Sequence, residues 1–522
     1  MTTRTDEHDT TASIDDIVAS WLASYDATDT DVAHLLCDRH DPQAIAFTFI
    51  EPDRSSRPMT YGEIAERSRR LATVLAGLGV KRGDRVPVLM GKRPELVITL
   101  LAVARLGAVY VPLFTAFATG AIQIRVDNAK ARIVVTEPSQ RAKLDPIWGI
   151  EILEAGPDLE RMIESSEPLA ESVAVGGNGT MLQLYTSGTT GKPKGVPVPA
   201  RALASFHCYT HFGLDVTPDD VFWNAADPGW AYGLYYGVLG PMVAARPNLL
   251  LNTGFTPEST VAVIREFGVT NFAGAPTIYR ALRKSGLAQG ISLRCASSAG
   301  EPLTPHVVAW AKKALGSEVR DHYGQTELGM VINNHWHPGL VRPLKDGSMG
   351  QPMPGYAAGV VEGQIAIDVP GSPLLWFTGY HEEPEKSRER FTADGRWYLT
   401  ADTGQVDEDG YFFFTARDDD VILAAGYRIG PFDVESVLVT HPAVIDVAVV
   451  GRPDPEGIRG EVVEAFVVLA NGVKPANDLA EELRNLVRDN YSKHAYPRTV
   501  HFVDALPKTP SGKVQRYLLR QS

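Results

Sequence analysis

Apolar and polar positions along this chain fall into two rhythms that alternate. Thr60-Tyr61-Gly62-Glu63 has the Ser/Thr-x-x-Glu spacing of a capping box, and an amphipathic run to Leu78 closed by Gly79 follows. A helix with both ends marked is predicted there. Next come an apolar strand over Arg85 to Met90, a helix over Pro94 to Leu106 with Pro in its first turn, and a strand over Ala108 to Val111. A helix over Ala118 to Asn128 and a strand over Ala131 to Thr136 extend the series. Strand and helix in alternation predict a parallel sheet with covering helices. Glu137 to Asn178 is weaker in pattern and richer in charge, and reads as surface connection. Met181 to Tyr185 is one more strand, and alternation resumes with helices over Glu258 to Phe267 and Thr277 to Lys284 and strands over Val269 to Phe272 and Ser317 to Tyr323. There is no internal repeat or low-complexity tract.

The pattern changes near Asp407. Asp407 to Gly410 reads as a turn, Tyr411 to Thr415 as an aromatic strand, and Ala416 to Asp420 as a charged linker. Beyond it the chain could form a small α+β unit: helices over Pro431 to Thr440 and Asn477 to Asn490, with strands over Ala443 to Val450, Val462 to Leu469 and Thr499 to Val503. The boundary falls at about Asp419, giving units of 1–418 and 419–522. Only Leu96 to Phe114 approaches membrane-spanning length, and Arg105, Gly107 and Pro112 interrupt it. A buried helix followed by a buried strand is expected instead.

Composition adds limits. At 522 residues the chain is too long for one compact core, and 44% hydrophobic with 22% charged residues describes a globular protein. A formal net charge of -13 argues against a nucleic-acid surface, so any nucleotide site must be locally basic. Cys37, Cys208 and Cys295 are scattered without metal or disulfide spacing, and Met1 to Ser13 lacks the regions of a signal peptide. A cytoplasmic protein with no membrane span is expected.

The strand Met181 to Tyr185 delivers Thr186-Ser187-Gly188-Thr189-Thr190-Gly191-Lys192-Pro193-Lys194-Gly195. Its glycines, hydroxyls and lysines suit a loop that wraps polyphosphate, although such a stretch standing alone is ordinarily an unconstrained turn. Spacing excludes a Walker A loop. Counting back from Gly191-Lys192, the first glycine would fall at Thr186, and Pro193 stands where Ser or Thr is needed.

Five stretches in order resemble the adenylate-forming superfamily of acyl-CoA synthetases, peptide-synthetase adenylation domains and luciferases. They are Tyr185 to Gly195, Asp321-His-Tyr-Gly-Gln-Thr-Glu327, Tyr398-Leu-Thr-Ala-Asp402, Ala416-Arg-Asp-Asp-Asp420 and Pro507-Lys-Thr-Pro-Ser-Gly-Lys513. The likeness is greatest to medium-chain acyl-CoA synthetases, through Gly426 to Glu435, Ile458 to Val463 and Leu506 to Arg516, while Ala226-Asp-Pro-Gly-Trp230 is shared with acetyl-CoA synthetases. The resemblance implies an α/β fold: a large N-terminal domain of parallel and mixed sheets with covering helices, and a small mobile α+β C-terminal lid. It also implies ATP, Mg2+ and coenzyme A as cofactors and a carboxylic acid as substrate, and it leaves a homodimer open. A carboxylate attacks the α-phosphate of ATP to give acyl-AMP and pyrophosphate, and the thiol of coenzyme A then expels AMP. Both halves build negative charge on oxygens, so placed cations and donors are the main catalytic resource.

By resemblance, Thr186, Ser187, Gly188, Thr189, Thr190, Gly191, Lys192 and Lys194 hold the β- and γ-phosphates. Thr326 meets the α-phosphate and Glu327 the magnesium ion. Gly300-Glu301-Pro302 and Asp321-His322-Tyr323 form the adenine slot, with Tyr323 against the base. Asp402 takes the ribose hydroxyls beside Arg417, and the usual glycines before these two residues are Ala401 and Ala416 here. Lys513 is the lid lysine of the first half-reaction, Asp419 the hinge, and Gly426 and Arg428 the lid face of the thiol step. An isolated Glu, Lys or charged linker residue is ordinarily solvated surface, and the neighbouring motifs are what raise these above that.

The acyl pocket is expected at Trp230, Ala231, Tyr232, Ala299 and Gly324. Acetate-specific relatives carry Trp at the position of Gly324, so glycine implies room for a larger acid: medium-chain, branched or aromatic. Alternatives are an adenylation enzyme that loads a carrier protein, an acetyl- or propionyl-CoA synthetase, and a non-catalytic nucleotide sensor. No carrier domain follows Ser522, which favours free coenzyme A, and the presence of Glu327 and Lys513 favours an enzyme.

Overall fold

The computed structural model describes residues 12–522 except 187–192, 418–419, 425–426, 456–460, 493–494 and 509–512, with the side chains of Arg417, Leu423, Tyr427 and Arg428 also outside the description. Two large sheets carry most of the chain. One has six strands in the order Glu151–Glu154, Ile133–Thr136, Arg85–Leu89, Val109–Leu113, Thr180–Thr186 and Lys194–Pro199, parallel until a final antiparallel hairpin. The other has 13 strands, running from Ala358–Val361 at one edge to Ser56–Thr60 at the other. Its middle strands Ile45–Ile50, Asn248–Leu251, Phe222–Asn224, Asn271–Gly274, Cys295–Ala299 and Val319–Gln325 are parallel neighbours. The fold is therefore α/β with mixed sheets.

The helix Pro94–Arg105 shows how burial organises this layer. Leu96 through Arg105 are all buried, so packing overrides the modest helix propensity of Val97, Ile98, Thr99 and Val103. Its final residue carries a charge into the interior. Arg105 is fully buried and grips Asp38 through two hydrogen bonds of 2.7 and 2.8 Å, with a third to Ser68 at 2.9 Å. The residue that interrupts the candidate membrane span is thus a paired interior charge, and no described helix is long and apolar enough to cross a membrane.

Thr60 caps Tyr61–Gly77 as its sequence predicts, accepting from the Glu63 amide at 3.2 Å, and Gly79 takes φ +88° just past the helix end. The segment from Glu137 to Asn178 departs from the sequence reading. It holds a 3-10 turn over Pro138–Lys143, the edge strand Glu151–Glu154 and the helix Pro157–Ser165. Four residues are too few to display alternation, and the helix shows only Leu159 and Ile163, four apart, on its buried face. Ala416 and Arg417, expected to begin a charged linker, instead end the strand Phe412–Arg417 and pair with Thr403 and Asp402.

Past residue 420 the chain forms a smaller α+β arrangement. Val444–Pro453 and Glu461–Leu469 pair antiparallel, Thr499–Phe502 lies parallel to the second, and the helices Pro431–Leu438 and Asn477–Asn490 contribute Val434, Leu438, Leu483 and Val487 to a separate apolar cluster. Arg516 and Arg520 tie the C-terminal helix Arg516–Gln521 to Glu435 and Asp420 at 2.7 Å each.

Candidate active site

Because Phe222–Asn224, Asn271–Gly274, Cys295–Ala299 and Val319–Gln325 run parallel, their C-terminal ends open on one edge of the large sheet, where ligands of open α/β sheets bind. The residues at or just beyond these ends line a half-buried seam: 225–227, 229–232, 301–302 and 324–326. Gly300 stands exposed in this seam at φ +99°, a conformation that an L-residue adopts only under strain. Glu301 is held beside it by Arg280 at 2.7 Å and Thr277 at 3.2 Å.

The pleat of Val319–Gln325 separates its functional groups. Asp321 Oδ2 accepts from the Leu303 amide at 3.1 Å, whereas His322 turns to the other side of the sheet. There His322 bonds Tyr209 at 2.7 Å and the Asn334 carbonyl at 3.1 Å, so its imidazole is spent away from the Asp321 side. Burial pushes the Asp321 carboxyl up to about 8, against hydrogen bonds from the Leu303 and His322 amides. Tyr323 and Gln325 each donate to Asp402 Oδ2 at 2.6 Å, fastening the inner strand to the outer strand Trp397–Val406. Ala401, just before Asp402, has φ +58°. The backbone here needs the left-handed region, and an alanine there costs about 1 kcal/mol relative to a glycine.

Below this pair lies a charged cluster that motif reading missed in part. Glu327 is buried, and Tyr380 donates to its Oε1 at 2.8 Å. The Lys194 ammonium sits 4.8 Å over the Tyr380 ring; burial and then the nearby Arg390 lower its pKa, and Glu327 opposes them. Arg390 donates to Gln325 Oε1 at 3.2 Å, to the Tyr398 hydroxyl at 2.9 Å and to the Thr400 carbonyl at 3.1 Å. Tyr398 also donates to Gln325 Oε1 at 3.1 Å, so the Gln325 amide has one orientation, oxygen to Arg390 and nitrogen to Asp402. Arg390 and Tyr380 carried no sequence signal: Arg390 ends the charged run Glu385 to Arg390, which reads as a solvated face. Thr326 is half-buried, and its carbonyl accepts from Tyr235 at 3.0 Å.

The strands Thr180–Thr186 and Lys194–Pro199 form a hairpin with Thr186 opposite Lys194. Its base is stiffened by Tyr185, which donates to Asn128 at 2.8 Å and accepts from Gln183 at 2.8 Å, while Arg85 holds Gln183 at 2.7 Å. Ser187, Gly188, Thr189, Thr190, Gly191 and Lys192 lie outside the described residues.

On the opposite flank, Trp230 packs between Phe114 and Phe117 at ring distances of 5.3 and 5.4 Å. Ala231 and Tyr232 begin the short helix Ala231–Leu234, and Tyr232 bonds the Tyr209 hydroxyl at 3.0 Å. Ala299, at the end of its strand, pairs with His322. Gly324 sits at a bulge opposite Met330, and a β-carbon there would overlap the Gly329 carbonyl. The absence of a side chain at 324 is thus a backbone requirement, and it does not simply hollow out a pocket.

Lys513 is exposed, next to a bridge between Lys508 and Val514 and to the Gln515 amide, which donates to the Pro507 carbonyl at 2.8 Å. Asp419 and Gly426 lie outside the described residues. For Arg417 and Arg428 only the backbone is described, in the strands Phe412–Arg417 and Tyr427–Ile429. Among the described residues, no group of three or more His, Cys, Asp and Glu is arranged to hold a metal.

Residues 37–379 match the family described as AMP-binding enzyme, and residues 433–513 match the AMP-binding enzyme C-terminal domain. The chain is similar to an acetyl-coenzyme A synthetase of Bacillus subtilis, at 36% identity over 88% of this chain and 84% of that protein. It is similar also to the human mitochondrial acyl-coenzyme A synthetase ACSM3, at 34% identity over 92% and 86%. Among solved structures it resembles an acyl-CoA synthetase from Brucella canis, with TM-score 0.76, 42% identity and coverage of 98% of this chain and 97% of that one.

The raised Asp321 pKa sets a pH dependence. Between about pH 4 and pH 8 the unfolded chain ionises this carboxyl while the folded chain keeps it protonated, so its stabilising contribution is lost as pH rises. Asp321→Asn retains an acceptor for Leu303 and removes that ionisation. In thermal melts from pH 5 to pH 8.5, the variant is expected to gain Tm relative to wild type as pH rises; a constant offset contradicts the assignment.

Proposed function

The chain belongs to the AMP-binding enzyme family and is an AMP-forming acyl-CoA synthetase, and on that premise we propose that it activates a carboxylic acid larger than acetate. Its substrates are ATP, with Mg2+, the acid and coenzyme A, and the acid is of medium-chain, branched or aromatic type. The observation that supports this reading is the bulge at Gly324: the resemblance implies Trp at this position in acetate-specific members, and here the backbone admits no such side chain to close the seam. The names of similar proteins include both an acetyl-coenzyme A synthetase and acyl-coenzyme A synthetases, so the pocket rather than the family must decide.

In this reading the acid lies along the seam at Trp230, Ala231, Tyr232, Ala299 and Gly324. Adenine lies by Gly300, Glu301, Pro302, Asp321 and Tyr323, and the ribose hydroxyls on Asp402. One ionised carboxylate accepts both hydroxyls, and the two donors already on Oδ2 fix its orientation for that task. Glu327 fits a magnesium ion, because a hard cation that keeps most of its waters needs few protein carboxylates; when bound, it supplies charge neutralisation on the phosphates. Lys194 and the rest of the glycine loop hold the departing phosphates. Arg390 adds positive potential next to them and, through Gln325, positions Asp402.

The two units, 1–418 and 419–522, alternate about Asp419. One arrangement brings Lys513 to the α-phosphate beside Thr326 for acyl-AMP formation, and the other presents Gly426 and Arg428 for the thiol step. Three free, buried cysteines suit a reducing cytoplasm.

Measuring kcat/KM across acetate, propionate, butanoate, hexanoate, octanoate, 2-methylbutanoate and benzoate tests the substrate reading. At least one larger acid is expected to exceed acetate by roughly tenfold or more; acetate as the best substrate overturns it. Lys513→Ala is expected to slow acyl-AMP formation by roughly a hundredfold or more. Thioester formation from supplied acyl-AMP should be largely spared, and equal losses in the two half-reactions remove Lys513 from the first.

A further inference from the structure

A row of hydrogen bonds runs inward from the acyl side of the seam and fixes the direction of every proton in it. It begins at Tyr232, which is half-buried, and passes to the fully buried Tyr209 at 3.0 Å. From there it continues to His322 Nδ1 at 2.7 Å, and from His322 Nε2 to the Asn334 carbonyl at 3.1 Å. Burial holds the His322 pKa down to about 3, so the ring is neutral and carries one N–H.

A carbonyl oxygen can only accept, so that N–H is on Nε2 and Nδ1 is an acceptor. Tyr209 must therefore donate its single proton to Nδ1. Its oxygen then accepts from Tyr232, whose own proton is spent in the same way. Burial raises the pKa of both phenols, which keeps their protons in place. What Tyr232 has left is a lone pair and no donor.

The rings are held for this geometry. Tyr209 and Tyr235 open two π-helical turns, Tyr209–Gly213 and Tyr235–Leu239, and Tyr236 packs on Tyr209 at 4.3 Å and on Tyr232 at 5.5 Å. Asn224 Nδ2 donates to the Tyr232 carbonyl at 3.5 Å, which ties the start of the short helix to the end of Phe222–Asn224.

We propose that Tyr232 is a dedicated hydrogen-bond acceptor in the acyl pocket, so that the enzyme favours carboxylic acids bearing a hydroxyl or amino donor over the same acids without one. This rests on the reading that Tyr232 lines that pocket. A site built around a fixed acceptor discriminates well, because a substrate lacking the donor leaves a partly buried oxygen unpaired.

The test uses matched acids: hexanoate and its 3-hydroxy form, benzoate and its hydroxy, amino and methoxy forms, and phenylpropanoate and its 4-hydroxy and 4-methoxy forms. The quantity read is the ratio of kcat/KM within each set, taken from pyrophosphate release. For wild type, at least one hydroxy or amino acid is expected to exceed its parent by roughly tenfold, and Tyr232→Phe should bring that ratio close to one. Tyr209→Phe frees the Tyr232 proton and should shift preference from the hydroxy toward the methoxy member; if that variant does not fold, the Tyr232→Phe result decides. No preference within any set in wild type, or a preference that survives Tyr232→Phe, overturns the proposal.

Tyr232→Ala separates the two layers of the argument. A changed acid-size profile in that variant, alongside an unmoved donor ratio in Tyr232→Phe, rejects the acceptor assignment alone. An unchanged size profile rejects Tyr232 as a pocket residue, and with it the reading on which this proposal rests.

Discussion

Two hydrogen bonds of 2.6 Å, from Tyr323 and Gln325 onto a single oxygen of Asp402, link the last strand of the parallel centre of the 13-stranded sheet to the strand Trp397–Val406 of its antiparallel flank. The rest of the site depends on that junction. It sets the spacing between the seam at the strand ends and the outer strand Trp397–Val406, and it leaves the left-handed strain at Ala401 with a reason to persist. Arg390 supports the junction from below, because it fixes which end of the Gln325 amide meets the carboxylate. A buried network of this kind is costly if one member is left unmatched, and here Arg390, Tyr398, Gln325, Tyr323 and Asp402 bond one another while Arg390 Nε stays buried without a partner.

The protein is acidic overall, with a formal charge of -13, yet the space around Glu327 holds Lys194 and Arg390 close together. Local placement thus prevails over global charge. Burial of these cations strengthens their fields, since the surrounding dielectric is lower than that of water. A polyphosphate arriving here meets positive charge that the net balance does not reveal.

Much of this was legible in the sequence because it is local. The capping box at Thr60, the strand and helix alternation from Arg85 to Thr136 and the strand leading to the glycine loop each depend on residues close together in the chain. Edge strand Glu151–Glu154 escaped because it is too short for a period to show. Arg390 and Tyr380 escaped for another reason: their partners lie far off in sequence, and a charged run resembles solvated surface until the fold closes over it. Gly324 shows the limit from the opposite side. Sequence reading took the missing side chain as empty space, whereas the bulge opposite Met330 makes glycine a requirement of the backbone there. The proton order from Tyr232 to Asn334 lies beyond any motif, since it follows from which atom of His322 meets a carbonyl.

The central claim is that the seam joins an acid to AMP before any thiol takes part. Isotope exchange between pyrophosphate and ATP, measured over a panel of carboxylic acids without coenzyme A, tests it most directly. Exchange that requires the acid and proceeds without coenzyme A, with AMP and thioester accumulating once coenzyme A is added, is the predicted result. Exchange or pyrophosphate release that is indifferent to every acid would contradict the account.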